Sequence, residues 1–366
     1  METQSTYYPP DFSSEELRDA PEATFEPMPA DGVLPHGFFA TTNLPTWVKL
    51  GDSWLRPKNP RMDCVIFREG DELRVCEPRD LNAGDLVAMG AAENGRKGIL
   101  VHGNAFTRKE KDGGDAFQFM STEVSRERPV DYELLAKLLV EERLRSGYIT
   151  WVIGPALVHA RSREELIWFI KHGYVSVMLG GNAIAVHDIE ASLFGTALGM
   201  SATGEAVKHG HAMHLKAINQ INAVGSIEQA IRDEMITGGV MHALVTHDVP
   251  YVLAGSIRDD GPLPGVITDA VEAQRAMRAH AQKTTFALFL ATVLHSIAVG
   301  NMLPAFVDGG GDDLRPLHTI CVDQTEFVVN KLRDRGTHQA HAVVTNVQDF
   351  IHILRGYVEK WEQASG

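Results

Sequence analysis

The sequence predicts an α/β protein: a parallel sheet with helices on both faces, preceded by a smaller β-rich domain. Two features predict this. After Pro129, short β-branched apolar runs alternate with amphipathic segments of helical period, the pattern of repeated β–α units. Between residues 36 and 128, short β-like runs broken by Gly, Pro and Asn follow one another, which fits a small barrel or sandwich.

Residues 1–35 are rich in Pro, Glu, Asp and Ser and lack periodicity, so an extended or weakly ordered acidic arm is expected. Tyr7, Tyr8, Phe12 and Phe25 could anchor it on a second copy, and a homo-oligomer is expected. In the β-rich domain, strands are expected at Trp47–Leu50, Cys64–Arg68, Leu73–Cys76, Leu86–Met89 and Ile99–Val101. A helix over Asp131–Ser146 then opens the α/β domain, residues 129–366. Its strands are expected at Ile149–Ile153, Tyr174–Met178, Tyr251–Leu253, Phe286–Leu290, Thr319–Val322 and Ala342–Val344. Its helices are expected at Arg163–His172, Ala183–Phe194, His211–Ala223, Ile227–Ile236, Asp269–Ala281, Thr325–Arg335 and Val347–Glu362.

The chain has 366 residues, 44% of them hydrophobic and 22% charged, which is ordinary globular material with room for two domains. A net charge of −14 argues against a general nucleic-acid or anionic-membrane surface. No run of about 18 apolar residues exists, so no transmembrane helix is expected. The opening METQSTYYPPDFSSEE lacks the basic and apolar regions of a signal peptide. Cys64, Cys76 and Cys321 are scattered without a CxxC, which fits a reduced cytoplasm.

The residues that follow the strands carry the chemistry. In open α/β sheets, ligands bind outside the carboxyl ends of the strands. There the sequence places Gly154-Pro155-Ala156, then Gly181-Asn182-Ala183 opening a helix, then Gly255-Ser256-Ile257, and beyond Leu290 the Asn301-Met302-Leu303 stretch. Small residues let a cofactor approach the backbone, and helix-opening glycines leave N–H groups for a pyrophosphate. Asp323, ending a strand, is placed to accept hydrogen bonds from a ribose diol. Together these suggest a dinucleotide, although no G-x-G-x-x-G follows the first strand.

Three clusters suggest catalysis. In the loop after Leu253, Arg258, Asp259 and Asp260 are held between Ser256 and the rigid Gly261-Pro262-Leu263-Pro264. In the helix Ala183–Phe194, the ionisable His187, Asp188 and Glu190 sit in an apolar stripe, so a proton-handling role for His187 or Asp188 is expected. Arg61, in NPRMD, is a candidate clamp for a substrate carboxylate, which a guanidinium matches bidentately. His209, His211 and His214 have spacings that could suit a metal, but no Cys or carboxylate stands beside them, so a solvated helix start is the reading. No metal is expected.

GNAIAVHDIEASLFGT (181–196), VPYVLAGSIRDDGPLPGVITDAVEAQ (249–274) and LHSIAVGNMLPAF (294–306) resemble the archaeal-type ornithine cyclodeaminase family. The same module is known as the conserved domain of lysine-oxoglutarate reductase/saccharopine dehydrogenase bifunctional enzymes, and as the carboxy-terminal part of cyanobacterial arginine dihydrolase/ornithine cyclodeaminases. GFFATTNLPT (37–46), NPRMDCVI (59–66) and FQFMSTEVSRERP (117–129) resemble the family's β-rich region, so the likeness runs from Gly32 to Leu354. The family commonly carries a small α/β domain before this region, where here the acidic arm stands. The resemblance implies a Rossmann-like sheet of the deoxyhypusine-synthase type, which accounts for the missing glycine fingerprint. It also implies conversion of L-ornithine to L-proline and ammonia, with NAD used and regenerated. Asp259 and Asp260 would then position the substrate ammonium groups, and Arg61 or Arg258 its carboxylate.

Overall fold

The computed structural model describes residues 7–106, 130–158, 162–201, 205–257, 259, 261–310, 313–325 and 339–365. Two compact units are present: Met1–Asp131 with Pro304–Pro316, and Tyr132–Leu303 with Leu317–Gly366.

In the first unit, the strands Phe25–Pro27, Leu86–Ala88, Val65–Glu69 and Glu72–Cys76 form an antiparallel sheet in that order. A three-stranded sheet runs Ser53–Leu55, Thr46–Leu50, Ile99–Val101. The two share one core, in which Val48 and Ile99 of the smaller sheet meet Ile66, Leu73, Val75 and Ala88 of the larger around Phe39. Of the two expected forms, the sandwich is the one observed. Gly70, with φ 63°, makes the two-residue turn that pairs Glu69 with Glu72, a conformation that favours glycine.

The amino-terminal segment differs from the expected loose arm. Phe25–Pro27 is an edge strand, and the Lys49 ammonium donates to the carbonyls of Arg18 at 2.7 Å and Ala20 at 2.6 Å. Phe12 stacks on Trp54 at 5.5 Å and meets Trp47 edge-on, while Tyr7 packs on Phe106. The anchors expected to reach a second copy are therefore used within this chain. The chain also returns late to the same unit, where the hairpin Phe306–Asp308/Leu314–Pro316 places Phe306 and Leu314 against Trp47 and Phe106. Arg56 clasps Asp308 with two hydrogen bonds of 3.0 and 2.8 Å. The β–α pattern assigned this stretch to the second domain, because nothing local marks a return.

The second unit is built on six parallel strands in the order Tyr251–Ala254, Val177–Gly181, Ile149–Ile153, Phe286–Leu290, His318–Asp323, Gln339–Val344. Numbered along this unit, the order is 3-2-1-4-5-6, that of doubly wound dinucleotide-binding folds. Every residue of Ile149–Ile153 and Phe286–Leu290 is buried, which requires cover on both faces and explains their uninterrupted apolar runs. Helices Tyr132–Leu144 and Ser162–Lys171 pack against the last helix, Val347–Ser365.

Several boundaries shift. The second strand is Val177–Gly181, later than the expected Tyr174–Met178. Tyr174 instead closes the preceding helix, its N–H donating to Phe169 O, and Gly180 and Gly181 stay in the ladder paired with Leu253 and Ala254. Among the described residues of this unit, the helices Val240–Thr246 and Val293–Gly300 escaped the sequence pattern. The expected helix over Thr325–Arg335 lies outside the described residues beyond Thr325. Among the described residues, no helix is long and apolar enough to cross a membrane.

Candidate active site

With the strand order 3-2-1-4-5-6, the crossovers part between Ile149–Ile153 and Phe286–Leu290, and the ligand crevice opens at their carboxyl ends. Gly154 follows the first of these strands and donates its N–H to Leu290 O at 2.9 Å. A Cβ on Gly154 would lie 2.0 Å from Ala291 O, so glycine is what lets the two strand ends converge. Pro155 and Ala156 continue as a 3-10 turn, Pro155–Val158.

The second strand ends at Gly181, the N-cap of helix Asn182–Phe194, and no side chain caps that terminus. The first-turn N–H groups, including those of Asn182 and Ala183, thus have no intrahelical partner and face the anion side of the helix dipole. The Asn182 amide is committed elsewhere: its Oδ1 accepts the Leu263 N–H at 3.1 Å and its Nδ2 donates to Gly261 O at 3.3 Å. It fixes the loop after the third strand instead of reaching outward. In that loop the Asp259 carboxylate accepts the Ser256 N–H at 2.7 Å and hydroxyl at 3.1 Å, closing a turn beyond Gly255 that leaves Ile257 fully exposed. Arg258 and Asp260 lie outside the described residues.

After the fourth strand, the helix Val293–Gly300 intervenes before Asn301, Met302 and Leu303. That helix spans about 12 Å along its axis. Met302 and Leu303 are buried, and the Asn301 N–H donates to Ile297 O. The residue the strand end presents is His295, whose ring lies over Gly181: a Cβ there would be 2.8 Å from Cε1 and 3.5 Å from Nε2. Its Nδ1 is 3.3 Å from Thr292 Oγ1. Burial pulls its pKa below the ordinary 6.5, with the Asp259 charge acting the other way, so the ring is neutral near neutral pH. Sequence reasoning passed over His295 because it treated Leu294-His295-Ser296 as a route to Asn301; a lone His one turn past a buried strand was the available signal.

Asp323 ends the fifth strand with Oδ1 accepting the N–H and hydroxyl of Thr325, each at 3.0 Å. Its carboxylate is half-buried and held in place, on the far side of the crossover point from Gly181. An anion-ready helix start, a glycine-lined crevice and an oriented carboxylate together fit a dinucleotide laid across the sheet edge.

Three other expected catalytic residues are engaged elsewhere. Asp188 is fully buried; its Oδ1 accepts Arg163 Nε at 2.7 Å and the Val240 N–H at 2.9 Å, and its Oδ2 the Met241 N–H at 2.8 Å. It caps the start of the helix Val240–Thr246, a structural duty that occupies both of its oxygens. Glu190, also fully buried, accepts from Thr196 Oγ1 and the Gly199 N–H at 2.9 Å each, with His187 Nδ1 at 3.3 Å. His187 thus belongs to the buttress of the turn that follows its helix. Arg61 forms a buried ion pair with Glu77 at 2.6 Å inside the first unit, so its clamp role gives way to a structural one. Cys76, Glu77 and Asp80 come within metal-ligand spacing of one another, but Arg61 and Arg79 already lie against Glu77.

The fold and this crevice define the class: a doubly wound α/β protein whose sheet edge is arranged for a dinucleotide and a small polar substrate. Residues 133–354 match the family described as arginine dihydrolase ArgZ-like, C-terminal, Rossmann fold, and residues 45–134 match its first region. The chain is 45% identical over 339 residues to the ornithine cyclodeaminase of Methanopyrus kandleri, covering 91% of this chain and 77% of that one. It is 39% identical to the bifunctional arginine dihydrolase/ornithine cyclodeaminase AgrE of Nostoc sp., covering 94% of this chain and 48% of AgrE. The crystal structure of a LOR/SDH protein from Methanococcus maripaludis superposes with a TM-score of 0.83 at 39% identity, covering 93% of this chain and 99% of that one. The ternary complex of AgrE with ornithine and NAD+ matches at 36% identity with a TM-score of 0.60, covering 94% of this chain and 47% of AgrE. The chain belongs to the ArgZ-like C-terminal Rossmann-fold family, which takes in the archaeal ornithine cyclodeaminases.

Proposed function

We propose that this chain is an NAD-dependent ornithine cyclodeaminase that converts L-ornithine to L-proline and ammonia. The observation that carries the reading is 45% identity, over 91% of the chain, to a protein of that name. The ternary complex of AgrE with ornithine and NAD+, whose fold this chain shares, supports the cofactor and substrate. Cys64, Cys76 and Cys321 form no disulfide with one another, which is consistent with a reducing cytoplasm.

The residues that would hold NAD are Gly154, the helix start at Gly181–Ala183, Gly255 and Ser256, and Asp323. The bound cofactor supplies a hydride acceptor for the substrate α-carbon and a hydride donor for the cyclic imine. The chain itself must hold the substrate and manage its protons. The N–H groups behind Gly181 neutralise phosphate charge. Asp259, fixed by Ser256, presents negative charge at the same crevice, where it would attract an ammonium group. Arg258 remains the proposed partner of the substrate carboxylate, and Asp260 of its second ammonium.

Incubating the purified protein with L-ornithine and NAD+ tests the reading. Proline and ammonia in equal amounts without accumulating NADH are expected. Steady NADH accumulation would indicate a dehydrogenase, and no reaction with tight NAD binding a regulatory protein.

A further inference from the structure

We infer that His295 is the proton-transfer residue of the crevice, acting through Nε2 on the amino nitrogen of the substrate. The inference rests on the cyclodeaminase reading. It starts from position: His295 lies one turn beyond the fourth strand, at the crossover point, with its ring over Gly181 where a dinucleotide would meet the helix start. Gly181 carries no side chain, so the ring lies directly against its backbone. Thr292 can accept Nδ1–H, the tautomer that leaves a lone pair on Nε2. Among the described residues, Nε2 has no hydrogen-bond partner. Asp188 and Glu190 have their oxygens committed elsewhere, whereas His295 keeps Nε2 open at this unit's strand ends.

The step is an acid–base exchange and involves no redox change of the protein. An N–H bond of the α-ammonium breaks, the proton goes to Nε2, and the electron pair stays on nitrogen, ready to form C=N as hydride departs. The δ-ammonium gives one proton to solvent, its freed electron pair attacks the iminium carbon, and the new ring nitrogen gives a second proton to solvent. The imidazolium then returns its proton to the α-nitrogen, which leaves as ammonia while the electron pair of the ring nitrogen forms the cyclic C=N.

Among the described residues, the charged groups on the elements packed against His295 are few; Arg258 and Asp260 of the loop lie outside them. Strands Ile149–Ile153 and Val177–Gly181, which pack on its helix, carry no titratable side chain. Helix Ala270–Ala281 carries Glu272, Arg275, Arg278 and His280, and the loop carries Asp259. Of these, Asp259 is the group that acts on the His295 pKa.

Three measurements on the full chain test this. His295→Gln keeps a polar side chain of similar size without a titrating nitrogen. It should lower kcat by about 10²-fold or more, the scale of lost acid–base catalysis, while NAD+ affinity by calorimetry and KM for ornithine stay within about twofold. The acid limb of the wild-type pH–kcat/KM profile should disappear in this variant, and added imidazole should partly restore His295→Ala. Independently of turnover, the Cε1–H proton resonance lost in His295→Gln should titrate below 6.5 in the free wild-type protein. Wild-type kcat in His295→Gln, an unchanged acid limb, or a resonance titrating at or above 6.5 would each overturn the inference. Wild-type protein that leaves ornithine unchanged would overturn the cyclodeaminase reading instead, and the titration would still decide the state of His295.

Discussion

Asp188 is bound to Met241 across 53 residues of sequence: its Oδ2 accepts the Met241 N–H at 2.8 Å while Oδ1 takes the neighbouring Val240 N–H. A carboxylate in a helix thus caps the start of another helix, and Arg163 at 2.7 Å balances its charge. A fully buried carboxylate stripped of such partners is costly to fold around. Neutralising Asp188 should therefore act on stability, not on chemistry. Asp188→Asn is expected to lower unfolding stability by about 3 kcal/mol, read by urea denaturation, with near-normal kcat per folded molecule. A fully stable variant with kcat reduced 10²-fold would restore the catalytic role.

Arg61 and Glu77 make the same distinction in the first unit. Arg61→Met alone leaves Glu77 buried with its main counter-charge removed, and about 3 kcal/mol or more of stability should go. The double variant Arg61→Met/Glu77→Met should recover much of it. If Arg61→Met instead kept its melting temperature and raised KM for ornithine, the residue would be a substrate clamp after all.

Gly181→Ala puts a methyl 2.8 Å from His295 Cε1, so the ring must move. Displacement of this order should reduce turnover by about 10²-fold, with the melting temperature within a few degrees of wild type. Unchanged turnover would show that the ring position does not matter.

Glu190 predicts acid sensitivity. Burial pushes its carboxyl up, but hydrogen bonds from His187, the Gly199 N–H and Thr196 outweigh that and hold its pKa below the ordinary 4.5. A depressed carboxylate contributes stability that is present above the unfolded value and lost as pH falls through the folded one. Stability should therefore decline below 4.5, and this part of the decline should be absent in Glu190→Gln. Parallel acid profiles for the two proteins would contradict the assignment.

Asp323→Ala should weaken NAD+ binding by about 1.5–3 kcal/mol, the worth of a hydrogen bond to a charged group. Calorimetry on the free protein measures it directly. Because Asp323 Oδ1 also holds Thr325, the variant Thr325→Ala serves as the control for loosening of the turn alone.

The sequence by itself determined the parallel sheet. Ile149–Ile153 and Phe286–Leu290 are buried on both faces, and a strand so covered must be apolar along its whole length, a signal local enough to read with its bounds. It also determined which glycines and acids follow the strands, and its motifs pointed to the right family. Tertiary structure decided what those residues do. Gly180 and Gly181 are poor strand formers locally, yet stay in the ladder because Gly180 pairs with Ile153 and Leu253 on its two sides and Gly181 with Ala254. Asp188 reads as a catalytic acid until the distant Met241 N–H is seen on it, and Phe12 as a free anchor until Trp47 and Trp54 enclose it. His295 stands in a motif that marks the family but not its own role; that role emerges only where the strand ends bring it over Gly181. Burial and hydrogen-bond partners arise from contacts between segments far apart in the chain, so one-dimensional periodicity carries elements, and only packing assigns roles.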